Sequence, residues 1–176
     1  MGADEVVDHL RNLWDIDNKP TKIIISGGEP MMQQSALLPL LRLLQELGCT
    51  RHIETAGTIM PLSEFRFHVS QFVVSPKLEN SGNVRSKRYK PAVLRHLHLC
   101  GAYFKFVVSR SSDFDEIDQI VKECNIQPCC VMIMPEGTTS KGQIYRGKIL
   151  VKETLARGYG LSLRQHVLLW GNERKR

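Results

Sequence analysis

A chain of 176 residues, 42% hydrophobic and 24% charged, has the composition of an ordinary globular protein, which excludes long disorder and the collagen and fibrous classes. No apolar run approaches the ~18 residues of a membrane helix, and the N-terminus MGADEVVDHLRNLWD lacks the basic leader and apolar core of a secretory signal, so the expectation is a soluble, cytoplasmic protein. The net charge is +6, from 24 Lys and Arg against 18 Asp and Glu, and it is not one broad patch: Arg85, Lys87, Arg88 and Lys90 form a cluster and Arg174, Lys175 and Arg176 a tail, read as two solvated loops.

The first predicted element is a helix over 3–14, with Val6, Val7, Leu10 and Leu13 close to helical spacing. Thr21 to Ile25 is a β-branched run, hence a buried strand, stopped by Gly27-Gly28. Leu37 to Leu47 reads as a helix with Pro39 in its first turn and Gly48 at its C-terminal cap. Arg51 to Thr55 and Gln71 to Val74 are the second and third strands. Residues 79–90 form a polar, charged and mobile loop. Pro91 starts a helix that runs through Leu99. Tyr103 to Val108 is the fourth strand, and Asp113 to Cys124 a helix with acidic residues in its first turn. Cys129 to Met134 is the fifth strand, Lys141 to Gly158 a helix and Leu161 to Leu169 the sixth strand, with His166 on its alternating face. Trp170 is expected in the core.

Strands that alternate with helices predict a mainly parallel sheet with right-handed crossovers, in a single domain spanning 1–176. A closed (β/α)₈ barrel needs ~250 residues, with ~200 as a lower bound. The expectation is therefore a partial barrel that opens with a helix and lacks its first strand.

Cys49, Cys100, Cys124, Cys129 and Cys130 contain no CxxC pair, so neither a zinc knuckle nor a disulfide framework is supported. They read as reduced core thiols. Nucleic acid is not an expected partner. Aromatic content is 7%, and the basic loop contains only Tyr89, too little for base stacking.

The polar and glycine-rich clusters each follow a predicted strand. Ser26-Gly27-Gly28-Glu29-Pro30 follows the first, and Glu54-Thr55 closes the second. Ser75-Pro76-Lys77 follows the third, Ser109 the fourth, and Met134-Pro135-Glu136-Gly137 the fifth. In parallel α/β folds ligands bind at the carboxyl ends of the strands, so these clusters are expected to share one pocket. Gly27-Gly28 allows close backbone approach to a ligand or simply makes a tight turn. Glu29 is either an ammonium partner or a loop acid, and Lys77 is either a point charge for a carboxylate or phosphate or simply an exposed lysine. Neither a dinucleotide fingerprint nor a P-loop is present.

At these residues a resemblance emerges. IIISGGEPMMQ (23–33), HIETAGT (52–58), FVVSPKLENSG (72–82), YFKFVV (103–108), VMIMPEGTT (131–139) and RQHVLLWGNER (164–174) resemble successive blocks of the 7-carboxy-7-deazaguanine synthase family, in the radical S-adenosylmethionine superfamily. The resemblance covers nearly the whole chain in order. It implies a partial (β/α) barrel that converts 6-carboxy-5,6,7,8-tetrahydropterin into 7-carboxy-7-deazaguanine with loss of ammonia, a step toward queuosine-type bases. The implied cofactors are S-adenosylmethionine, a [4Fe–4S] cluster and Mg²⁺.

Residue by residue, Ser26 matches a substrate contact. Gly28 matches an S-adenosylmethionine contact, and Glu29 of the same motif is placed with it. Ser75, Pro76 and Lys77, and then Met134, Pro135, Glu136 and Gly137, match further contacts to that cofactor. Glu136 stands where an Asp is common in the family, and Glu54 and Thr55 are given supporting roles. The family holds its cluster through three closely spaced cysteines in an N-terminal loop, a spacing that none of the five cysteines here reproduces. The expectation is that the cluster and Mg²⁺ ligands lie outside this chain. The expected partners are the pterin substrate and either a second copy of the chain or a separate N-terminal fragment. The alternative is a non-catalytic S-adenosylmethionine-binding remnant or subunit.

Overall fold

The computed structural model describes residues 2–14 and 20–171; the Arg174–Arg176 tail lies outside them. It contains β1 (Lys22–Ile25), β2 (Thr50–Thr55), β3 (Gln71–Val74), β4 (Tyr103–Val108), β5 (Val131–Pro135) and β6 (Gly160–Leu161). The helices are α1 (Ala3–Leu13), α2 (Gln34–Glu46), α3 (Ser63–Phe67), α4 (Arg85–Arg88), α5 (Pro91–Leu99), α6 (Asp113–Cys124), α7 (Ser140–Ala156) and α8 (Gln165–Trp170). The strands follow the order β1-β2-β3-β4-β5-β6 in one sheet. The β1–β2, β4–β5 and β5–β6 pairings are parallel, as the alternation of strands and helices predicts. The chain divides into two compact units, residues 1–55 with 59–73, and residues 56–58 with 74–176.

In the first unit, the Gly2 amide donates to Glu5 Oε2 at 2.7 Å and caps α1. Asp4 and Glu5 in its first turn and Arg11 in its last complement the helix dipole. Val7 is buried with Leu44 and Cys49, and Leu10, Trp14, Leu40, Leu43 and Ile23 pack around them. The apolar face of α1 thus rests chiefly on α2, and Leu13 stays exposed. A turn over Pro30–Gln33 leads directly into α2, which starts earlier than the sequence predicts. Pro39 therefore sits inside the helix, where it removes one ladder donor. The buried-strand expectation for the first strand also needs correction, because Ile24 is 56% exposed.

His52 pairs in register with Ile24. Burial pushes its imidazole below the ordinary value of 6.5, and the Lys22 ammonium adds to the shift. An unfolded His takes up its proton near pH ~6.5, whereas folded His52 does so only at lower pH. This group's contribution is therefore lost on acidification. Stability should decline from about pH 7 to pH 5, with a smaller slope in His52→Gln. Identical slopes in urea titrations of the two proteins would show that His52 is not linked to folding.

In the second unit, the alternation in YFKFVV places Phe104, Phe106 and Val108 fully inside. Phe104 pairs with Val131 and Phe106 with Ile133. Phe114, Ile117 and Ile120 of α6 complete this core. Gly57 belongs to the same unit at φ +72°; a Cβ there would meet Val74 Cγ1 at 2.6 Å and Leu94 Cδ2 at 2.7 Å.

Three further expectations need correction here. First, Pro128 presets a turn over Pro128–Cys130, so β5 starts at Val131. Cys129 is exposed and Cys100 and Cys130 half-buried, leaving Cys49 and Cys124 as the buried thiols. Second, 161–169 is not one strand. After the two-residue β6 the chain turns into α8, where Val167 is buried and its carbonyl accepts from Ser140 Oγ at 3.3 Å. Packing on α7 overrides the alternating pattern. His166 is then an exposed helical residue, and Trp170 is 48% exposed rather than core. Third, 79–90 is structured. It holds a turn over Glu79–Ser81 and then α4, and Arg88 is buried.

Candidate cofactor-binding site

A cavity of about 750 Å³ lies in the second unit at the carboxyl ends of β3, β4 and β5. The segment after β3 contributes Pro76, Lys77 and Asn80, and Ser109 follows β4. Glu136, Gly137 and Thr139 follow β5, and Tyr145, Arg146 and Arg164 close the lining. Three of the clusters predicted from sequence therefore meet. Ser75, half-buried, and Met134 and Pro135, both buried, flank the cavity and are not among its lining residues. The volume is in the range of small-molecule sites. Lys77, Arg146 and Arg164 give the wall a positive balance against Glu136. Arg146 Nη1 donates to the Glu136 carbonyl at 2.7 Å and lies 4.0 Å from its carboxylate.

The SGGEP segment belongs to the first unit. Ser26, Gly27 and Gly28 are exposed just beyond β1. Gly27 and Gly28 adopt φ +86° and +57°, and a Cβ at either would meet nothing within 4 Å. Glycine is needed there for backbone conformation rather than to relieve crowding. Glu29 Oε1 accepts from Thr55 Oγ1 at 2.7 Å and from the Met31 amide at 3.1 Å. The Glu29 carboxylate thus joins the end of β2 to the turn over Pro30–Gln33.

The groups that shape the cavity wall are ones that sequence reasoning missed. Gln143 is fully buried on α7. Its Nε2 donates to the Pro135 carbonyl at 2.6 Å and the Gly137 carbonyl at 3.1 Å, and its Oε1 accepts from the Arg164 amide at 3.1 Å. One amide therefore ties the Met134–Gly137 turn to α7 and to the entry of α8. Asp113, at the start of α6, has Oδ2 accepting from Asn80 Nδ2 at 2.8 Å and from the Ser109 amide at 2.8 Å. The available signal was the register of α7, which places Gln143 on the same face as the buried Gly147, Leu150 and Thr154. Among the described residues, no three His, Cys, Asp or Glu side chains gather as a metal site.

A parallel α/β sheet with a polar, cationic cavity at its strand ends places that cavity where ligands bind in folds of this class. Solved structures of that shape include QueE from Escherichia coli, with TM-score 0.66 and 21% identity over 93% of this chain and 64% of that one. Streptococcus suis SuiB bound to S-adenosylmethionine matches with TM-score 0.62 and 14% identity, over 93% and 44% of the two chains. These likenesses show the fold alone, an α/β arrangement with a mainly parallel sheet. No family model matches the chain. The 7-carboxy-7-deazaguanine synthase of Pyrobaculum aerophilum is 30% identical over 177 aligned residues, covering 99% of this chain and 74% of that protein. The synthase of Hyperthermus butylicus is 28% identical over 77% of this chain and 56% of its own length. The chain belongs to the 7-carboxy-7-deazaguanine synthase family. It spans a little over half of the Hyperthermus protein and about two thirds of the Escherichia coli structure.

Proposed function

We propose that this chain carries the S-adenosylmethionine cradle of a 7-carboxy-7-deazaguanine synthase. The supporting observation is the cavity that brings Pro76 and Lys77 together with Glu136 and Gly137. Its size suits the adenosyl group of the cofactor, and its backbone and side-chain hydrogen-bonding groups suit ribose and adenine edges. Ser75, Met134 and Pro135 shape the ends of β3 and β5 that carry the contacts. Ser26 is assigned to the pterin substrate, and Gly28 with Glu29 to the methionine end of the cofactor.

The proposed reaction is the conversion of 6-carboxy-5,6,7,8-tetrahydropterin to 7-carboxy-7-deazaguanine with loss of ammonia. The described side chains do not fit an iron–sulfur cluster or a resident Mg²⁺, because no donor set converges. The thiolates are assigned to a segment outside the described residues or to a separate chain. A second reading, an S-adenosylmethionine-binding subunit without its own chemistry, draws on the same scattered donors. Self-association of the chain as a homodimer is part of the proposal. No helix among the described residues is long and apolar enough to cross a membrane, and we place the protein in the cytoplasm.

Calorimetry with S-adenosylmethionine tests the cradle. Weak binding is expected, with Lys77→Ala lowering affinity by about tenfold, the size of one charge-assisted contact. Lys152→Ala, on the exposed side of α7, should leave affinity unchanged. A folded chain that binds nothing at millimolar cofactor would reject the cradle. Equal losses in the two variants would reject the role of Lys77.

A further inference from the structure

We infer that Arg88 is a positioning residue for the cavity, acting through the backbone of Lys77. The inference rests on the reading of the cavity as a cofactor cradle. The Arg88 side chain is only 6% exposed. Its Nη1 donates to the Lys77 carbonyl at 3.0 Å and lies 2.5 Å from Glu116 Oε1. Its Nε donates to the Asn83 carbonyl at 3.0 Å. Lys77 and Asn83 both line the cavity, so one guanidinium grips both ends of the wall segment from its buried side.

The counter-grip comes from α6. Glu116 receives the Arg88 guanidinium on Oε1, and its Oε2 accepts from the Glu79 amide at 2.8 Å. One turn earlier, Asp113 holds Asn80, a cavity residue between the two carbonyls. The segment from Lys77 to Asn83, KLENSGN, has one fully apolar anchor, Leu78, at 2% exposure. Polar bonds to α6 and α4 therefore define its path. A planar guanidinium can serve two carbonyls and a carboxylate at once, which an ammonium on a flexible stem cannot do with the same geometry.

A buried ion pair is a weak source of stability, since well-packed apolar residues often replace it without loss. The placement of this pair on two carbonyls of a cavity wall gives it a different use. It holds the wall in one conformation before the ligand arrives. When only a fraction of molecules has the competent wall, apparent affinity falls by that fraction.

The test uses the whole chain with S-adenosylmethionine as the titrant. Wild type, Arg88→Ala, Arg88→Lys and Glu116→Gln are compared by calorimetry and by hydrogen exchange. Arg88→Ala is expected to weaken binding about tenfold, as for a wall competent in roughly one molecule in ten. Arg88→Lys should fall between it and wild type. Exchange over 77–83 should accelerate while β4 and β5 amides stay protected. Ile53→Val, a mild core change in the other unit, is the control for lost stability and should bind as wild type does. Should Arg88→Ala not fold, Glu116→Gln, which keeps the volume and an acceptor for Glu79, carries the same expectation. Folded variants with a faster-exchanging wall and undiminished affinity would overturn the role of Arg88 and leave the cradle standing. A wild-type chain that binds no cofactor would overturn the cradle and this inference with it.

Discussion

Replacement of Gly57 by Ala is expected to lower the stability of the second unit by roughly 3 kcal/mol or more, from two additive causes. A non-glycine residue in the left-handed region costs about 1–2 kcal/mol. Overpacking a filled core typically costs a further ~1–3 kcal/mol. The second cause applies because the new methyl would stand 2.6 Å from Val74 Cγ1 and 2.7 Å from Leu94 Cδ2. Both neighbours are buried, with Leu94 at 0% and Val74 at 0% exposure, so neither has space to retreat. Gly82 separates the two causes. It has nearly the same φ, +71°, with nothing within 4 Å of its would-be Cβ. Gly82→Ala should therefore show the backbone cost alone, ~1–2 kcal/mol. Denaturant unfolding that gives equal losses at the two positions would mean that the core absorbs the methyl and the packing argument is wrong.

The second large effect is expected at Gln143. Gln143→Leu keeps the volume and strands the Pro135 and Gly137 carbonyls and the Arg164 amide. A buried group left without its bond costs about 1–3 kcal/mol, which applies in full to the Pro135 carbonyl and in part to the two half-buried groups, so the total should be roughly 3 kcal/mol. Cofactor binding should fall with it, because the freed turn carries Glu136 and Gly137. Gln143→Glu gives the sharper result. A carboxylate facing two carbonyls repels them, whereas a protonated carboxyl can still donate to Pro135. The folded pKa of this Glu should therefore lie above its unfolded value near ~4.3. The folded form then holds its proton longer, so stability falls as pH rises from about 4 toward 7. Glu and Gln proteins whose difference in midpoint stays constant over that window would rule out the proposed contact geometry.

Much of this architecture was legible in the sequence, and the reasons are physical. Gln71–Val74, Tyr103–Val108 and Asp113–Cys124 stand where the sequence predicts them. Each is a run whose period and end signals agree: β-branched or aromatic alternation in the strands, and an acidic first turn in the helix. The gathering of Lys77, Ser109 and Glu136 was legible because parallel strands deliver their following loops to one side. The C-terminal region misled for the opposite reason. LSLRQHVLL alternates like a strand, yet only Val167 among residues 165–170 is buried, and contact with α7 decides the outcome. By sequence Arg88 is one of four charges in a polar loop. Nothing local distinguishes it from Arg85 or Lys87, because its partners Glu116 and the Lys77 carbonyl are brought to it only by the fold. For Gln143 the register of α7 marks a buried position, but which carbonyls its amide serves is decided by the turn after β5 folding back onto the helix.

The two tryptophans give this molecule a built-in pair of optical reporters. Trp14 packs with Val7 and Leu44 in the first unit, and Trp170 is 48% exposed at the end of α8 in the second. Their surroundings differ in polarity, so their emission maxima should differ, with Trp170 to the red. Trp14→Phe and Trp170→Phe would each leave one lamp burning in one unit. Melting curves recorded from the two proteins would then either coincide or separate, which is the test of whether the chain unfolds as one cooperative body or as two.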